Sequence, residues 1–362
     1  MKKLRGENCN VVLSLVREAE EKNSGIFGQR SRKPRPIFYA GGWLEASDEK
    51  KRYFEVAKRC AALAVTGKFR GILSQFRRVA SRPVAESDIY AKKVRVKNNV
   101  LALYPDDGLV CKIQRPTTIR EVDALHTEYT TLQKIAAFEG LDAPEPLAYH
   151  SEPVPTLWLK YIDHKPVTKQ EKHSIALNIA EMLMRWYDHC GVKVITSKTY
   201  SPLLDILRGG AAALRQKGWN AEEASLLFSA IRNAAELNMP LLQSQIHGDA
   251  STGNAMIGQN EKLIITDWET SRTDLIAIDM VKLFQDAPEI SELYLEWRSG
   301  YEKSTAVDVQ RELLLVRMLR GLNLKHKWHY YTAVSSYTKS EAENLIAVDR
   351  RSIIDACGLF RG

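Results

Sequence analysis

The stretch from Ile246 to Glu269 constrains this chain more than any other part of it. It passes through His247-Gly248-Asp249-Ala250-Ser251-Thr252-Gly253 and reaches Asn254 five residues after Asp249. Gly248 and Gly253 break regular structure, so Asp249 and Asn254 belong to a loop. Asn254-Ala255-Met256-Ile257 then starts a strand, and Gly258 to Glu261 turns it into a second one ending at Asp267. A hairpin of this kind sets Asn254 and Asp267 side by side, although 13 residues separate them. The plain alternative is a polar turn between two strands, with Asp267 closing one of them by chance.

Phosphoryl transfer needs little covalent help from a protein but much positioning and charge neutralisation. A carboxylate must orient the attacking hydroxyl and take its proton. Hard oxygen ligands must also hold Mg2+ against a triphosphate. The loop and hairpin supply all three groups, with Asp249 expected as the catalytic base and Asn254 and Asp267 as metal ligands.

With 362 residues the chain has room for about two domains. Its 44% hydrophobic and 27% charged residues fit an ordinary globular protein. No apolar run approaches the roughly 20 residues of a membrane-spanning helix. The start leads into an amphipathic stretch with Arg17, Glu18, Glu20 and Glu21, unlike a secretory signal. Cys9, Cys60, Cys111, Cys190 and Cys357 are odd in number, far apart and free of any C-x-x-C pair. That argues against a disulfide framework or a zinc site and makes the cytoplasm the expected compartment. The net charge of +8 is uneven, since residues 1–120 carry 26 Lys+Arg against 12 Asp+Glu. The first third is therefore expected to meet something anionic: nucleotide phosphates, an acidic glycan, a lipid headgroup or nucleic acid, among which charge alone does not choose.

Residues 8–23 read as a short helix, followed by a basic loop with Arg30, Arg32, Lys33 and Arg35 and by helical periodicity from Ser47 to Phe76. From about Val79 the pattern turns to strands: Tyr90 to Val96, Val100 to Tyr104, and Leu109 to Ile113. The turns between them are Lys97-Asn98-Asn99 and Pro105-Asp106-Asp107-Gly108. A helix over Thr118 to Phe138 and a strand over Thr156 to Ile162 come next. Beyond Lys169 the chain reads as mainly helical, apart from residues 245–268. The expected organisation is a basic helical extension over 1–80, a small sheet with one helix over 81–163, and a helical domain over 164–362.

At this point the sequence resembles the aminoglycoside phosphotransferase and choline kinase group, which shares the bilobal architecture of protein kinases. The matching residues are His247-Gly248-Asp249, Asn254 after four intervening residues, and Asp267-Trp268-Glu269, with Asp274 and Asp279 resembling acidic residues that often follow. The resemblance implies an α+β fold with a small antiparallel-sheet lobe and a mainly helical lobe, with Mg-ATP as cofactor. It also implies a catalytic base at Asp249 and magnesium ligands at Asn254 and Asp267. A kinase further needs a lysine on the third strand for the α and β phosphates and a carboxylate on the next helix to position it. Lys112 fits the first role and Glu128 the second, with Glu121 as the alternative. Lys160, Tyr161 and Ile162 resemble the segment whose backbone meets adenine.

The sequence departs from that pattern in one respect: no glycine occurs from Ile72 to Asp107. Lys97-Asn98-Asn99 or Pro83 to Ser87 must therefore replace the glycine-rich phosphate turn. Tyr294, Trp297 and Tyr301 share a helix face near Glu289, Glu292 and Glu296, a pattern compatible with an acceptor surface but more often core. His326 and His329 are a weak metal pair. The expected function is a transfer of the γ-phosphoryl of ATP to an alcohol of a small molecule or glycan, such as a sugar or cell-envelope saccharide. An anionic acceptor and peripheral membrane contact are compatible with the basic leader, whereas no nucleic-acid module is recognisable. The competing reading is a pseudokinase or anion-binding scaffold that docks a partner through that leader.

Overall fold

The computed structural model describes residues 93–96, 99–114, 124–151, 155–329, 339–357 and 360, preceded by the two-residue strand β1 (Leu44–Glu45). The rest of the helical extension expected over residues 1–80 lies outside the described residues, as do 83–87, Lys97, Asn98 and Glu121. The chain forms two compact units. The described residues up to Lys134, with Pro144–Asp163, make the first; Ile135–Ala143 and those from His164 on make the second.

The first unit is an antiparallel six-stranded sheet in the order β1-β2-β3-β4-β6-β5. Its strands are β2 (Lys93–Val96), β3 (Asn99–Tyr104), β4 (Leu109–Gln114), β5 (Pro146–His150) and β6 (Thr156–Lys160). Pro105 opens a single 3-10 turn between β3 and β4, and Gly108 closes it in the left-handed region at φ 65. Strand β4 is laddered on both sides, Lys112 facing Leu101 on β3 and Leu157 on β6, so Cys111, Lys112 and Ile113 are all buried. Helix α1 (Ala124–Ala136) buries Leu125, Glu128, Thr131 and Leu132, a stripe at helical spacing. An acid on that stripe must be paired, because an isolated buried carboxylate is costly.

The second unit is helical, with two three-stranded antiparallel sheets, β11-β10-β7 and β12-β9-β8. The strands are β7 (His164–Pro166), β8 (Lys193–Thr196), β9 (Pro240–Ile246), β10 (Ala255–Gly258), β11 (Leu263–Ile265) and β12 (Arg272–Leu275). Strands β7, β8 and β12 fall where the sequence reads as loop or helix. Strands β7 and β12 are short and carry charge, and pairing with β10 and β9 makes them strands where local propensity does not, whereas β8 has the β-branched Val194, Ile195 and Thr196. Helix α2 (Lys172–Cys190) buries Ile175, Ile179, Leu183, Trp186 and Tyr187 along one face. It is followed by α3 (Ser201–Gln216), α4 (Ala221–Glu236), α5 (Ala277–Leu283), α6 (Ile290–Arg298), α7 (Ala306–Gly321), α8 (Leu324–His329) and α9 (Lys339–Cys357). Asn220 with Glu223, and Thr305 with Asp308, close capping boxes at the starts of α4 and α7. Among the described residues no helix is long and apolar enough to cross a membrane.

Candidate active site

The loop between β9 and β10 is held by one buried carboxylate. Asp279, on α5 and fully buried, accepts from the backbone N–H of His247 at 2.8 Å, Gly248 at 2.8 Å and Ala250 at 3.4 Å, and from the Tyr187 hydroxyl at 2.9 Å. Four donors satisfy a charge that burial alone would make costly. Burial, then the charge of Asp279, push the Tyr187 phenol well above its ordinary range, which keeps it a donor.

His247 is a second brace. Its Nδ1 accepts from the Asp249 backbone N–H at 3.2 Å, which leaves Nε2 as the donor to the Thr266 carbonyl at 2.9 Å. That pattern assigns the neutral tautomer, and burial lowers the ring's pKa accordingly. The ring also packs on Trp268, with centroids 4.4 Å apart. Gly248 adopts φ +83, and a Cβ there would stand 2.5 Å from the Thr270 carbonyl oxygen. Only glycine passes between these walls.

These braces place Asp249, Asn254 and Asp267. The side-chain NH2 of Asn254 donates to the Asp249 backbone oxygen at 2.9 Å and to its Oδ2 at 3.2 Å. With both donors aimed at Asp249, the Asn254 carbonyl oxygen is the atom that faces elsewhere, and it is a hard ligand of the kind magnesium prefers. The hairpin register pairs Ala255 with Ile265, and Thr266 N–H donates to the backbone carbonyl of Asn254 at 2.8 Å. Asp267 follows directly in the left-handed region, at φ 70 and ψ 50, a conformation that aspartate tolerates better than most residues. Its carboxylate oxygen lies within 4.8 Å of one from Glu269. An amide oxygen and two acidic side chains on one hairpin end thus fit a divalent cation.

In the first unit, Lys112 Nζ donates to both carboxylate oxygens of Glu128, at 2.6 and 2.8 Å, and both side chains are buried. The strand end expected to meet adenine is partly committed already. Lys160 N–H donates to the Glu145 carbonyl and Tyr161 N–H to the Gly108 carbonyl, while the Lys160 ammonium bonds Glu145. The aromatic face of α6 is largely packing: Tyr294 is fully buried and donates to Glu312, and Trp297 and Tyr301 both donate to Asp188. A fully buried Tyr294 lines no acceptor surface. The side chains of His326 and His329 lie outside the described residues.

Two residues absent from the sequence reading converge on Asp249. Lys282 Nζ contacts its Oδ1, and Arg320 Nη2 lies 3.9 Å from the same oxygen. Burial first, and Arg320 second, press the Lys282 pKa down to about 8, so the amine remains mostly charged at neutral pH. The signal for Lys282 was present: it follows Asp279 by three residues, which puts both on one helix face. Arg320 comes from α7, some seventy residues beyond the loop, and no local pattern announces it.

A small antiparallel sheet with a buried Lys–Glu pair, and a helical unit with a braced His-Gly-Asp loop, define a kinase of the type that phosphorylates alcohols. The comparisons agree. The family model of the phosphotransferase enzyme family, APH, matches residues 95–313, and the chain belongs to that family. Among solved structures, an aminoglycoside phosphotransferase candidate from Ralstonia eutropha is 9% identical, with 80% of this chain and 98% of that chain covered and a TM-score of 0.54. A choline/ethanolamine kinase family protein from Mesorhizobium loti is 14% identical, covering 80% and 99%, with a TM-score of 0.51. The GDP and kanamycin complex of APH(2")-IIia is 13% identical, with the same coverages and a TM-score of 0.51. No curated protein matches the sequence. The chain is therefore a small-molecule phosphotransferase with a kinase-like fold.

Proposed function

We propose that this kinase uses Mg-ATP and phosphorylates an alcohol hydroxyl of a small molecule or glycan, such as a sugar or cell-envelope saccharide, with Asp249 as its catalytic base. The observation that carries the reading is the loop itself, where Asp279 and His247 fix Asp249 and Asn254 turns its NH2 toward Asp249. Asp249 would orient the acceptor hydroxyl and take its proton as the oxygen attacks phosphorus, work that depends on position more than on basicity. The side-chain amide oxygen of Asn254 and the Asp267 carboxylate would hold magnesium, which supplies neutralising charge to the triphosphate. Lys112, oriented by Glu128, would hold the α and β phosphates. With the Lys160 and Tyr161 N–H groups committed, adenine recognition at this strand end would fall to backbone carbonyl groups. Cys111 and Cys357 as buried free thiols, and Cys190 as an exposed one, support a reducing cytoplasm.

Calorimetric titration of ATP, with and without Mg2+, tests this on wild type and Asp267→Ala. Magnesium-dependent binding that disappears in the variant is expected. Absence of nucleotide binding in wild type would remove the reading in favour of a scaffold.

A further inference from the structure

We infer that Lys282 and Arg320 form an anion subsite beside Asp249, which selects acceptors carrying a phosphate or carboxylate near the reacting hydroxyl. The inference rests on the proposed role of Asp249 and adds the charge class of the acceptor.

Both cations are half-buried, with side chains 29% and 31% exposed, so each keeps an open face while losing much of its water. They share one carboxylate oxygen, Asp249 Oδ1, leaving two positive charges against one negative. The neighbouring acids redress this only in part: burial leaves the Arg320 pKa lowered although the charge of Asp279 favours that of Arg320. Asp279 is engaged by four donors, and Asp274 by the Tyr200 hydroxyl at 2.7 Å and by Arg272 Nε at 2.9 Å. Burial lowers the Arg320 pKa first of all; the charge of Asp279 works against this, and that of Arg272 adds to it. Arg320 Nη1 is spent on the Ile278 carbonyl at 2.9 Å, which fixes the guanidinium and leaves Nη2 on the Asp249 side. At 3.9 Å that nitrogen is beyond hydrogen-bond reach of the carboxylate, a position suited to an additional acceptor oxygen.

The arrangement also has a sign. A cationic acceptor entering beside Asp249 would meet two like charges in a partly dry setting, where like-charge contact is strongly disfavoured. An anionic acceptor would complete both cations and leave Asp249 to its hydroxyl.

The test titrates glycerol 3-phosphate, glycerol and choline by calorimetry into full-length protein saturated with Mg2+ and a non-hydrolysable ATP analogue. Saturable binding is expected for glycerol 3-phosphate alone. Lys282→Gln and Arg320→Gln should each weaken it about tenfold or more, the range for loss of one charge-assisted contact, while Lys282→Arg retains most of it. Melting temperatures of the variants identify any loss of binding that comes from misfolding, and the Lys282→Arg result then decides. No saturable binding in wild type, or equal binding in Lys282→Gln, would overturn the inference. Binding that the ATP analogue abolishes would also overturn it, because the cations would then serve the nucleotide's own phosphate. If the analogue itself fails to bind, the proposed function falls, and the same titration without nucleotide still judges the subsite: binding lost in Lys282→Gln keeps it, and no binding ends it.

Discussion

Asp279→Asn is the change that most directly tests how the catalytic loop is held. The substitution keeps the shape of the side chain, removes its charge and turns one of two accepting oxygens into an NH2 donor. An amide with its nitrogen in the Oδ1 position would face the N–H groups of Gly248 and Ala250, losing two bonds. With its nitrogen in the Oδ2 position, the Tyr187 hydroxyl can turn and accept, so only the His247 N–H is left facing a donor. The second arrangement is the cheaper one. One buried N–H left unmade costs about 1–3 kcal/mol, and the three surviving bonds each lose roughly 1 kcal/mol of charge assistance. Removal of a buried charge offsets part of this, leaving about 3 kcal/mol. For a unit of this size that corresponds to a fall in Tm of about 6–12 °C. Tyr187→Phe deletes one donor of the four and should cost only about 1 kcal/mol. In the double variant the two effects should not add, since the tyrosine changes role in Asp279→Asn. Thermal melts of the three variants, read beside their turnover, check the scheme. A displaced Asp249 should lower kcat by about a hundredfold for each ångström of misplacement. A Tm within 2 °C of wild type together with unchanged kcat in Asp279→Asn would refute the account of Asp279 as the loop's anchor.

Three further outcomes are expected. Gly248→Ala should lose about 2 kcal/mol or more, measured by urea unfolding, because it combines the left-handed penalty with a Cβ 2.5 Å from the Thr270 carbonyl. Glu128→Leu should be destabilised by about 3–5 kcal/mol through the unpaired Lys112, whereas Lys112→Met with Glu128→Leu should be as stable as wild type yet bind no nucleotide; a double variant that still binds ATP would take Lys112 out of the site. Between the depressed folded-state pKa of His247 and 6.5 the unfolded chain binds a proton that the folded chain refuses, so stability falls as pH drops through this window, at up to about 1.4 kcal/mol per unit. His247→Gln should lack that component, visible as a shallower decline of Tm between pH 7 and 5.5.

Strands β3, β4 and β6 of the first unit were legible because their signals are local, whereas β1 and β5 were not expected. Alternating apolar residues and the Pro105–Gly108 turn place β3 and β4, and the observed strands differ from expectation by a residue or two. The hairpin carrying Asn254 and Asp267 was legible for the same reason. Strand β12 was not, because Arg272 to Leu275 becomes a strand only through its partner β9; β8 was passed over although Val194, Ile195 and Thr196 are β-branched. The aromatic set on α6 shows the opposite limit: periodicity finds a face but not what covers it, and Glu312 and Asp188 cover this one. Arg320 was beyond sequence reasoning altogether, since only tertiary packing brings α7 to the loop.

The divisions of labour around Asp249 follow from burial. Its backbone is fixed by groups that water does not reach, Asp279, Tyr187 and His247, and any change there is felt as lost stability before it is felt as altered chemistry. Its carboxylate, in contrast, is met by side chains that stay about 30% exposed, Lys282 and Arg320, held by few bonds and costing little to replace. Substitutions at these two positions should therefore redirect acceptor choice while leaving the braced loop, and with it the nucleotide chemistry, in place. A Lys282→Glu variant gives the sharpest form of this argument, at a cost of several degrees in Tm, because a second carboxylate would meet Asp249 in a half-buried setting. Preference between glycerol 3-phosphate and choline should invert, since the charge facing the acceptor has changed sign.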